Sequence, residues 1–353
     1  MLVGTDRNIF TPGSVVRERI VRFGSTHVDA LDSIVFSTRR HDIQSSQELS
    51  PGIHAHPTNS FSRFLYIWDA ISIARHLPRP DIVSAQDPFE TGLVALCIAH
   101  YWSVPFAVEM HTDFLSPSFV RHSLLNRVRV IIARFVLPRA AGGYAVSARV
   151  AEEINRRYRL MRIPMAVFPI FVDLARFRSI IRTPQKNNLL WIGRFETEKN
   201  PMLALEAFAA ARRASIDVRL TMLGTGSLES ALKRHVTRLG IEQQVAFPGW
   251  KDIAPYLADT DLLLVTSEYE GYGMALVEAL AAGVPVLSTD VGIAREAGAR
   301  IAEGDYATAL CDWLKGPRLH GALKIHPYAN EEEYFRSVRD HYEAIVENNR
   351  RHL

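Results

Sequence analysis

In the first half of the chain, short apolar runs alternate with longer stretches in which apolar residues recur every three or four positions. The short runs predict β-strands, at 2–4, 33–36, 82–84, 106–108, 143–145 and 166–168. The longer stretches predict helices, among them 15–23, 61–76, 91–101 and 118–137. A strand–helix alternation of this kind favours a parallel sheet with helices on both faces.

The alternation stops at 169–188, where two prolines and no clean period indicate a linker. It then restarts, with strands predicted at 189–192, 219–223, 245–247, 262–265 and 284–288, and helices at 201–213, 228–239 and 274–281. The expected fold class is therefore α/β, with two tandem doubly wound, Rossmann-like domains at 1–170 and 183–329. We expect the carboxyl ends of both sets of strands to face a shared cleft, because ligands of such sheets bind just outside those ends.

Composition excludes several classes of protein. The chain has 353 residues, of which 48% are hydrophobic and 22% charged, as expected for ordinary globular domains. Cys97 and Cys311 are its two cysteines, which excludes a disulfide framework and a cysteine-rich metal site. The longest apolar run, 93–99, is far shorter than the ~18 residues that cross a bilayer, and the N-terminus lacks a signal-peptide pattern. We therefore expect a cytoplasmic location.

Charge is unevenly spread between the two halves. Residues 1–183 hold 22 Arg, no Lys and 15 acidic residues, a net charge of +7, whereas the rest of the chain carries −4. This asymmetry indicates an anionic partner for the first half, with a bias toward Arg codons as the alternative. Basic residues are not interleaved with aromatic ones in any block, which argues against nucleic acid as the partner.

The stretch 118–139 combines five arginines with a run of Leu, Val, Ile and Phe. A basic helix with a wide apolar face is able to lie on an anionic membrane, so we expect peripheral contact with the inner face of the cytoplasmic membrane. In the alternative interpretation, the apolar positions pack on the sheet and the arginines are solvated.

The segment 267–285, SEYEGYGMALVEALAAGVP, follows a predicted strand and contains the densest candidate chemistry. Gly271 and Gly273 lie between Glu270 and Glu278, at a predicted strand-to-helix turn. Glycines at such a turn allow a ligand to approach the backbone closely, and the N–H groups at a helix start favour phosphate or a polar sugar edge. A carboxylate in the first turns of the helix accepts two hydrogen bonds from a ribose diol.

A second candidate segment is 190–201, LWIGRFETEKNP. A predicted strand ends before Gly193, and Arg194 and Lys199 follow in the loop. Two cations at the end of a strand are suited to clamp a diphosphate and to neutralise it as a leaving group.

The two segments resemble the family-4 retaining glycosyltransferases of the GT-B fold. The family pairs Gly-Arg and Lys-Asn in one loop with a later Glu-Gly-(Phe/Tyr)-Gly turn and a Glu-Ala pair. The matching residues are Gly193–Arg194, Lys199–Asn200, Glu270–Gly273 and Glu278–Ala279. The resemblance covers the second domain almost completely and is weaker in the first.

The resemblance implies roles for these residues. Arg194 and Lys199 would hold the donor diphosphate, Glu278 would bind the ribose hydroxyls, and Glu270 would orient the transferred sugar. Backbone N–H groups would reach phosphate and sugar from Gly271, Tyr272, Gly273 and Met274. Other residues would line the nucleotide, namely Gly193, Gly224, Trp250 and Lys251, although a core position is the alternative for Trp250.

In the first domain, the resemblance is carried by His111, which follows a predicted strand and matches the family's histidine near the reacting sugar. Asp113 is a candidate to orient it. Many members have a paired-glycine loop after the first strand, whereas this chain has Gly13 followed by a helix, a turn that still suits phosphate. The resemblance also implies that the amphipathic helix predicted at 330–349, with the residues to 353, packs back on the first domain.

The implied activity is retaining transfer of a hexose from a nucleoside-diphosphate sugar to a hydroxyl of a glycan or lipid-linked acceptor. UDP is slightly preferred over GDP as the donor nucleotide, and no metal cofactor is expected, because Arg194 and Lys199 are able to replace a divalent ion. Two alternatives stay open: a catalytically silent member that binds nucleotide sugar or glycan, and a UDP-sugar epimerase of the same fold.

Overall fold

The computed structural model describes residues 1–41, 43, 45–158, 164–183, 187–317, 319–325 and 327–351. The chain divides into two compact units. The first unit comprises Met1–Leu115, Ser123–Pro169 and the chain from Asn330 onward, and the second comprises Ser116–His122 and Ile170–Ala329.

The strands of the first unit form one sheet. In chain order they are β1 (Leu2–Gly4), β2 (Leu31–Val35), β3 (Gln47–Ser50), β4 (Ile53–Pro57), β5 (Val83–Ala85), β6 (Phe106–Met110), β7 (Gly142–Ala145) and β8 (Ala166–Val167). Their spatial order is β3-β4-β2-β1-β5-β6-β7-β8. All neighbours pair in parallel except β3, which runs antiparallel to β4 at the edge.

The second unit has a parallel sheet of its own. Its strands are β9 (Asn188–Ile192), β10 (Arg219–Leu223), β11 (Val245–Gly249), β12 (Leu262–Val265), β13 (Val286–Ser288) and β14 (Arg300–Ile301). They lie in the order β11-β10-β9-β12-β13-β14. Two α/β units on largely parallel sheets confirm the predicted fold class.

Helices follow most strands. In chain order they are α1 (Val15–His27), α2 (Tyr66–Ala74), α3 (Glu90–Trp102), α4 (Pro117–His122), α5 (Leu124–Val136), α6 (Ala148–Arg157), α7 (Leu174–Arg178), α8 (Pro201–Arg213), α9 (Glu229–Leu239), α10 (Ala254–Asp259), α11 (Met274–Ala281), α12 (Ala294–Ala297), α13 (Tyr306–Lys315) and α14 (Glu331–Arg350). Among the described residues, none of these helices combines the length and the apolar character needed to span a bilayer.

Local capping fixes where key helices begin. The Asn200 side chain accepts the N–H of Leu203 at 3.3 Å, and Pro201 opens α8 with a backbone dihedral that already suits a helix. Asn330 caps α14 in the same way, accepting the N–H of Glu333 at 2.9 Å. These caps satisfy N–H groups that have no partner within the helix itself.

Burial follows the layered architecture. Strand β6 is buried at all five positions, as expected of a central parallel strand with helices on both faces. In the second unit, Trp191, Phe195 and Phe208 are among the largest fully buried side chains. Burial of each such side chain contributes about 1.5–3 kcal/mol. Helix α14 belongs to the first unit, where Ile345 packs against Ala107 and Ala141.

The single helix predicted at 118–137 is wrong. Ser123 interrupts it, because its hydroxyl accepts the N–H of Asn126 at 3.1 Å and starts a new helix there. The piece before the break, α4, belongs to the second unit, and the piece after it, α5, belongs to the first. A first domain predicted as a continuous segment, 1–170, therefore does not account for the seven residues Ser116–His122, which belong to the second unit.

Helix α5 presents an apolar face to solvent. Its exposed apolar side chains are Leu124 (75% exposed), Leu125 (53%), Val128 (50%), Ile131 (65%) and Phe135 (48%). Asn126, Ala133 and Val136 are the buried residues of this helix. Packing on the sheet, the alternative interpretation of 118–139, therefore does not account for this face. A second exposed apolar group precedes and opens α2, at Phe61, Phe64, Leu65 and Trp68.

The predicted linker 169–188 is only partly irregular. It contains α7, which Asp173 caps by accepting the N–H of Ala175 at 3.1 Å, and it joins the second unit from Ile170 onward. Residues 184–186 lie outside the described residues. The hairpin β3–β4 was not predicted, because β3 is an edge strand with no fully buried residue and therefore lacks an apolar run.

Candidate functional site

The loop after β9 carries the first two predicted cations. Arg194 is 65% exposed, and its Nη2 donates to Glu198 Oε1 at 2.6 Å. Lys199 is more enclosed, with a side chain 23% exposed, and its Nζ forms an ion pair with Oε1 of Glu270. The structure thus brings Lys199 and Glu270 together across 71 positions of sequence, while Arg194 pairs within its own loop.

The backbone of Lys199 is anchored to the core beneath it. Thr266, buried at the end of β12, donates its hydroxyl to the carbonyl oxygens of Lys199 and Asn200 at 3.0 and 2.9 Å. The same hydroxyl accepts the indole N–H of Trp191 at 3.0 Å. Because Trp191 lies in β9 and Thr266 follows β12, this contact fixes the two strand-end loops relative to each other.

Glu270 lies in the turn between β12 and α11. Its Oε1 also accepts the hydroxyl of Ser267 at 2.7 Å, and its side chain is 15% exposed. On the other side, Tyr269 contacts α4, whose Phe119 and His122 rings lie edge-on to it at 5.5 and 6.2 Å. The short segment contributed from the first half of the chain therefore packs directly beside this turn.

Close backbone contacts hold the turns in place. A Cβ at Gly224 would lie 1.8 Å from the carbonyl oxygen of Gly193, so the glycine lets the loops after β9 and β10 meet. A Cβ at Gly292 would lie 2.3 Å from the carbonyl oxygen of Tyr272. The next residue, Ile293, donates its N–H to that carbonyl at 3.1 Å. Gly292 was not predicted as a residue of the site.

Glu278 sits in the second turn of α11. The pKa of its carboxyl is raised to about 7, mainly by burial, with the charge of Arg176 opposing the rise and that of Asp252 adding to it. The carboxylate accepts no hydrogen bond from any residue that the structure describes. Arg176 and Asp252 themselves pair at 2.5 Å. A half-buried, unsatisfied carboxylate of this kind is ready to accept donors from a ligand.

Other predicted residues line the same edge of the sheet. Gly273 caps α11, and Met274 opens it with 42% of its surface exposed. Gly271 and Tyr272 are buried, and burial raises the pKa of the Tyr272 hydroxyl to about 12. Trp250 is 61% exposed, so it does not occupy the core position that was its alternative. Lys251, beside it, is also exposed.

The loops that carry the predicted residues follow β9, β10, β11 or β12, which are neighbours in the second sheet. Because carboxyl ends of parallel strands share one edge, the predicted donor residues converge there. An Asp-x-Asp sequence, Asp259–Thr260–Asp261, precedes β12 and so lies at the opposite edge. Its carboxylates accept from Thr183 Oγ1 at 2.9 Å and from the backbone N–H of Asn188 at 3.2 Å.

In the first unit, His111 follows β6, and its Nε2 lies 3.2 Å from Oε2 of Glu109. Asp113, the predicted orienting residue, lies 3.9 Å from Arg149. The carboxylate at hydrogen-bonding distance from His111 is thus that of Glu109, which was not predicted. The available signal was a charged residue in the middle of an apolar strand.

Gly13, the other predicted residue of the first unit, adopts φ +74° and is exposed. Ser14 follows it and caps α1 by accepting the N–H of Arg17 at 3.2 Å. The turn therefore has the form that was predicted for it, a glycine turn into a helix, with open space around Gly13.

Two family models match the chain. "Glycosyltransferase Family 4" matches residues 29–176 and "Glycosyl transferases group 1" matches residues 175–300. Together they span about three quarters of the sequence.

Curated relatives and solved structures point the same way. The chain is 27% identical over 224 residues to a glycogen synthase of Mycobacterium tuberculosis, covering 61% of this chain and 53% of that protein. It is 34% identical over 182 residues to a GDP-mannose-dependent alpha-(1-6)-phosphatidylinositol dimannoside mannosyltransferase of the same species, covering 48% and 47%. The chain thus spans about half the length of the curated relatives it matches. A sucrose-phosphate synthase from Thermosynechococcus elongatus shares the fold, with a TM-score of 0.70, 16% identity and coverage of 98% and 96%.

Proposed function

Because the chain belongs to glycosyltransferase family 4, we propose that it transfers a hexose, with retention, from a nucleoside-diphosphate sugar to a hydroxyl of a glycan or lipid-linked acceptor. The observation that carries the proposal is the Lys199–Glu270 pair at the edge of the second sheet, with Glu278 in the helix that follows. A cation, a carboxylate for sugar hydroxyls and a carboxylate for the ribose are the three groups that such a donor requires.

The donor binds along the loops of the second unit. The unsatisfied carboxylate of Glu278 accepts the ribose hydroxyls, and the exposed Trp250 and Lys251 contact the base. Backbone N–H groups of the turn that opens α11 meet phosphate and sugar. UDP is the preferred nucleotide, with GDP next.

In the transfer step, the acceptor oxygen forms a bond to the anomeric carbon while the bond from that carbon to the diphosphate oxygen breaks. The proton of the acceptor hydroxyl passes to the departing phosphate oxygen, on the same face of the sugar. Lys199 and Arg194 stabilise the negative charge that grows on the diphosphate and take the place of a divalent ion. Glu270 holds the sugar hydroxyls and His111 contacts the reacting sugar, so positioning accounts for much of the rate.

A stability screen tests the donor assignment. The melting temperature is measured with UDP, GDP, ADP and their sugars, since a ligand at ~100 times its Kd adds about 2.7 kcal/mol. The nucleotide sugar that stabilises the protein is then incubated with and without glycan and lipid-linked acceptors. Nucleoside diphosphate released only with acceptor supports transfer. Isomerised sugar without acceptor would indicate an epimerase, and binding without turnover a silent member.

On the acceptor side, we propose that α5 rests on an anionic membrane surface. The exposed apolar face of α5 is accompanied by exposed Arg127, Arg134 and Arg139, a pairing that suits acidic lipid headgroups. The second exposed apolar group, at 61–68, lies just before and at the start of α2, and α2 and α5 both contact α3.

Vesicle sedimentation tests this part of the proposal. The protein should sediment with vesicles containing acidic lipids at low salt and be released as ionic strength rises. Ile131→Glu should weaken sedimentation, whereas Val15→Ser, at an exposed apolar residue of α1, should not. Equal binding to neutral vesicles, or none to acidic ones, would contradict membrane contact and leave the transferase proposal intact.

A further inference from the structure

A charged residue occupies the interior of the first sheet. Glu109 lies in β6, between neighbours that are all buried, and its own side chain is 12% exposed. Its Oε1 accepts the hydroxyl of Tyr342 at 2.7 Å and that of Ser84 at 3.1 Å. Its Oε2 faces Nε2 of His111 at 3.2 Å. Both carboxylate oxygens are therefore occupied, by side chains from β5, from α14 and from the loop that follows β6.

The hydrogen bonds of this network all point toward the Glu109 carboxylate. Burial alone would raise the pKa of Glu109, but the hydrogen bond and charge of His111, with the hydroxyls of Tyr342 and Tyr144, outweigh it and lower the pKa below its usual value. Burial also raises the pKa of both tyrosine hydroxyls, which therefore remain donors. An ionised carboxylate among obligatory donors accepts a hydrogen bond from His111 Nε2–H and has no proton to donate in return.

Tyr342 comes from a distant part of the chain. It lies 233 positions from Glu109, on α14, and its hydroxyl also lies 2.9 Å from that of Ser84. In the preceding residue, His341, Nε2 lies 2.9 Å from the carbonyl oxygen of Gly143 in β7. Helix α14 is thus fastened to the sheet directly beneath β6.

We infer that Glu109 and Tyr342 are positioning residues for His111: Tyr342 orients the Glu109 carboxylate, and the carboxylate fixes the imidazole ring and keeps its proton on Nε2. The free edge of the ring then presents Nδ1, and the C-terminal helix becomes part of the support of the reaction centre. This inference rests on the proposed function, in which His111 contacts the reacting sugar. Ring orientation set by a carboxylate at the second nitrogen is a common way to tune a functional histidine.

A double-mutant cycle tests whether Glu109 acts through His111. Glu109→Gln keeps the shape of the side chain and removes its charge, and should lower the kcat of transfer roughly 10- to 100-fold with little change in the donor KM. In a His111→Ala background, Glu109→Gln should cause no further loss, because the residue it supports is absent. An equal loss in both backgrounds would overturn the inference. Tyr101→Phe, which removes a half-exposed hydroxyl of the same unit, is the control and should leave kcat unchanged.

A spectroscopic readout keeps the test independent of turnover. In protein labelled with ¹⁵N-histidine, the His111 resonances are assigned by their loss in His111→Gln. Wild type should show a protected Nε2–H, and Tyr342→Phe should speed its exchange with solvent. Unchanged exchange in Tyr342→Phe would contradict the inference, and this variant also serves if Glu109→Gln does not fold. If His111→Ala transfers sugar normally, the proposed role of His111 fails, whereas the exchange result still decides how the ring is held.

Discussion

Each unit contains a carboxylate that contacts a serine hydroxyl and a nitrogen-bearing side chain, but the two carboxylates lie in different settings. In the second unit, Glu270 accepts from a serine hydroxyl and pairs with Lys199; in the first, Glu109 accepts from a serine hydroxyl and contacts His111. Their side chains are similarly enclosed, at 15% and 12% exposed. Glu270, however, lies on a turn, whereas Glu109 lies inside a strand under a helix from the far end of the chain.

This difference distinguishes a carboxylate that binds a ligand, Glu270, from a carboxylate that positions another side chain, Glu109. A carboxylate on a turn is able to exchange Ser267 or Lys199 for ligand hydroxyls when a donor arrives. A carboxylate in β6 that is bonded to Ser84 and Tyr342 has no such freedom, so its effect must pass through His111. The comparison therefore predicts that changes at Glu270 and Lys199 remove interactions with the ligand. Changes at Glu109 should instead disturb the orientation of His111.

The largest expected effect is at Lys199, the partner of Glu270 in the second unit. Lys199→Ala removes the cation that stabilises the departing diphosphate and should lower kcat at saturating donor by roughly 10²–10³-fold. Lys233→Ala breaks a comparable Lys–Glu pair, with Glu229, on the surface of α9 and should leave the rate unchanged. Near-normal transfer by Lys199→Ala would remove the distinction drawn between the two carboxylates.

A smaller effect should follow when the backbone of the turn is displaced. Gly292→Ala places a Cβ against the carbonyl of Tyr272 and adopts φ +51°, so it should cost about 2 kcal/mol or more of unfolding free energy and weaken donor binding. Gly240→Ala, at φ +67° with nothing near the added carbon, separates strain from contact and should cost about 1 kcal/mol. Urea unfolding and donor titration measure both variants, and equal costs would show that the contact with Tyr272 is unimportant.

The pH dependence of stability should sharpen the contrast between buried carboxylates. The pKa of Glu278 rises from 4.5 to about 7 on folding, so its protonated form stabilises the fold below pH 4.5 and this contribution is lost as pH rises through about 7. The pKa of Glu109 falls, so its contribution is present above pH 4.5 and is lost as the pH drops below that value. From pH 4 to 8, the wild type should therefore lose stability relative to Glu278→Gln. Over the same range, the wild type should gain stability relative to Glu109→Gln. A flat difference for either carboxylate would contradict its assigned environment.

The smallest expected effect is a change in donor affinity as Glu278 ionises. The ribose hydroxyls need an acceptor, so affinity for the nucleotide should increase as pH rises through about 7 and Glu278 ionises. Glu278→Gln should bind more weakly and lose this dependence, while Glu229→Gln, on the surface of α9, should keep it. Isothermal titration between pH 5.5 and 8.5, with the nucleotide identified by the stability screen, measures both.

The sequence by itself determined the parallel-sheet architecture and most of the residues at the edge of the second sheet. Strand periodicity is local, and Gly271, Gly273, Lys199 and Asn200 stand in short segments whose backbone geometry restricts which residue types fit. Even the partners Lys199 and Glu270 are predictable in principle, because both follow neighbouring parallel strands and such strand ends meet at one edge.

Only the tertiary structure decided which groups are held by distant parts of the chain. The partner of His111 is Glu109 rather than Asp113, because strand geometry and burial beneath Tyr342 favour the residue inside β6. The exchange of α4 into the second unit and the close contact of Gly292 with the carbonyl of Tyr272 are equally invisible in local patterns. Each depends on packing between segments far apart in sequence, and the free energy of such contacts belongs to the folded arrangement and leaves no periodic signal in either segment alone.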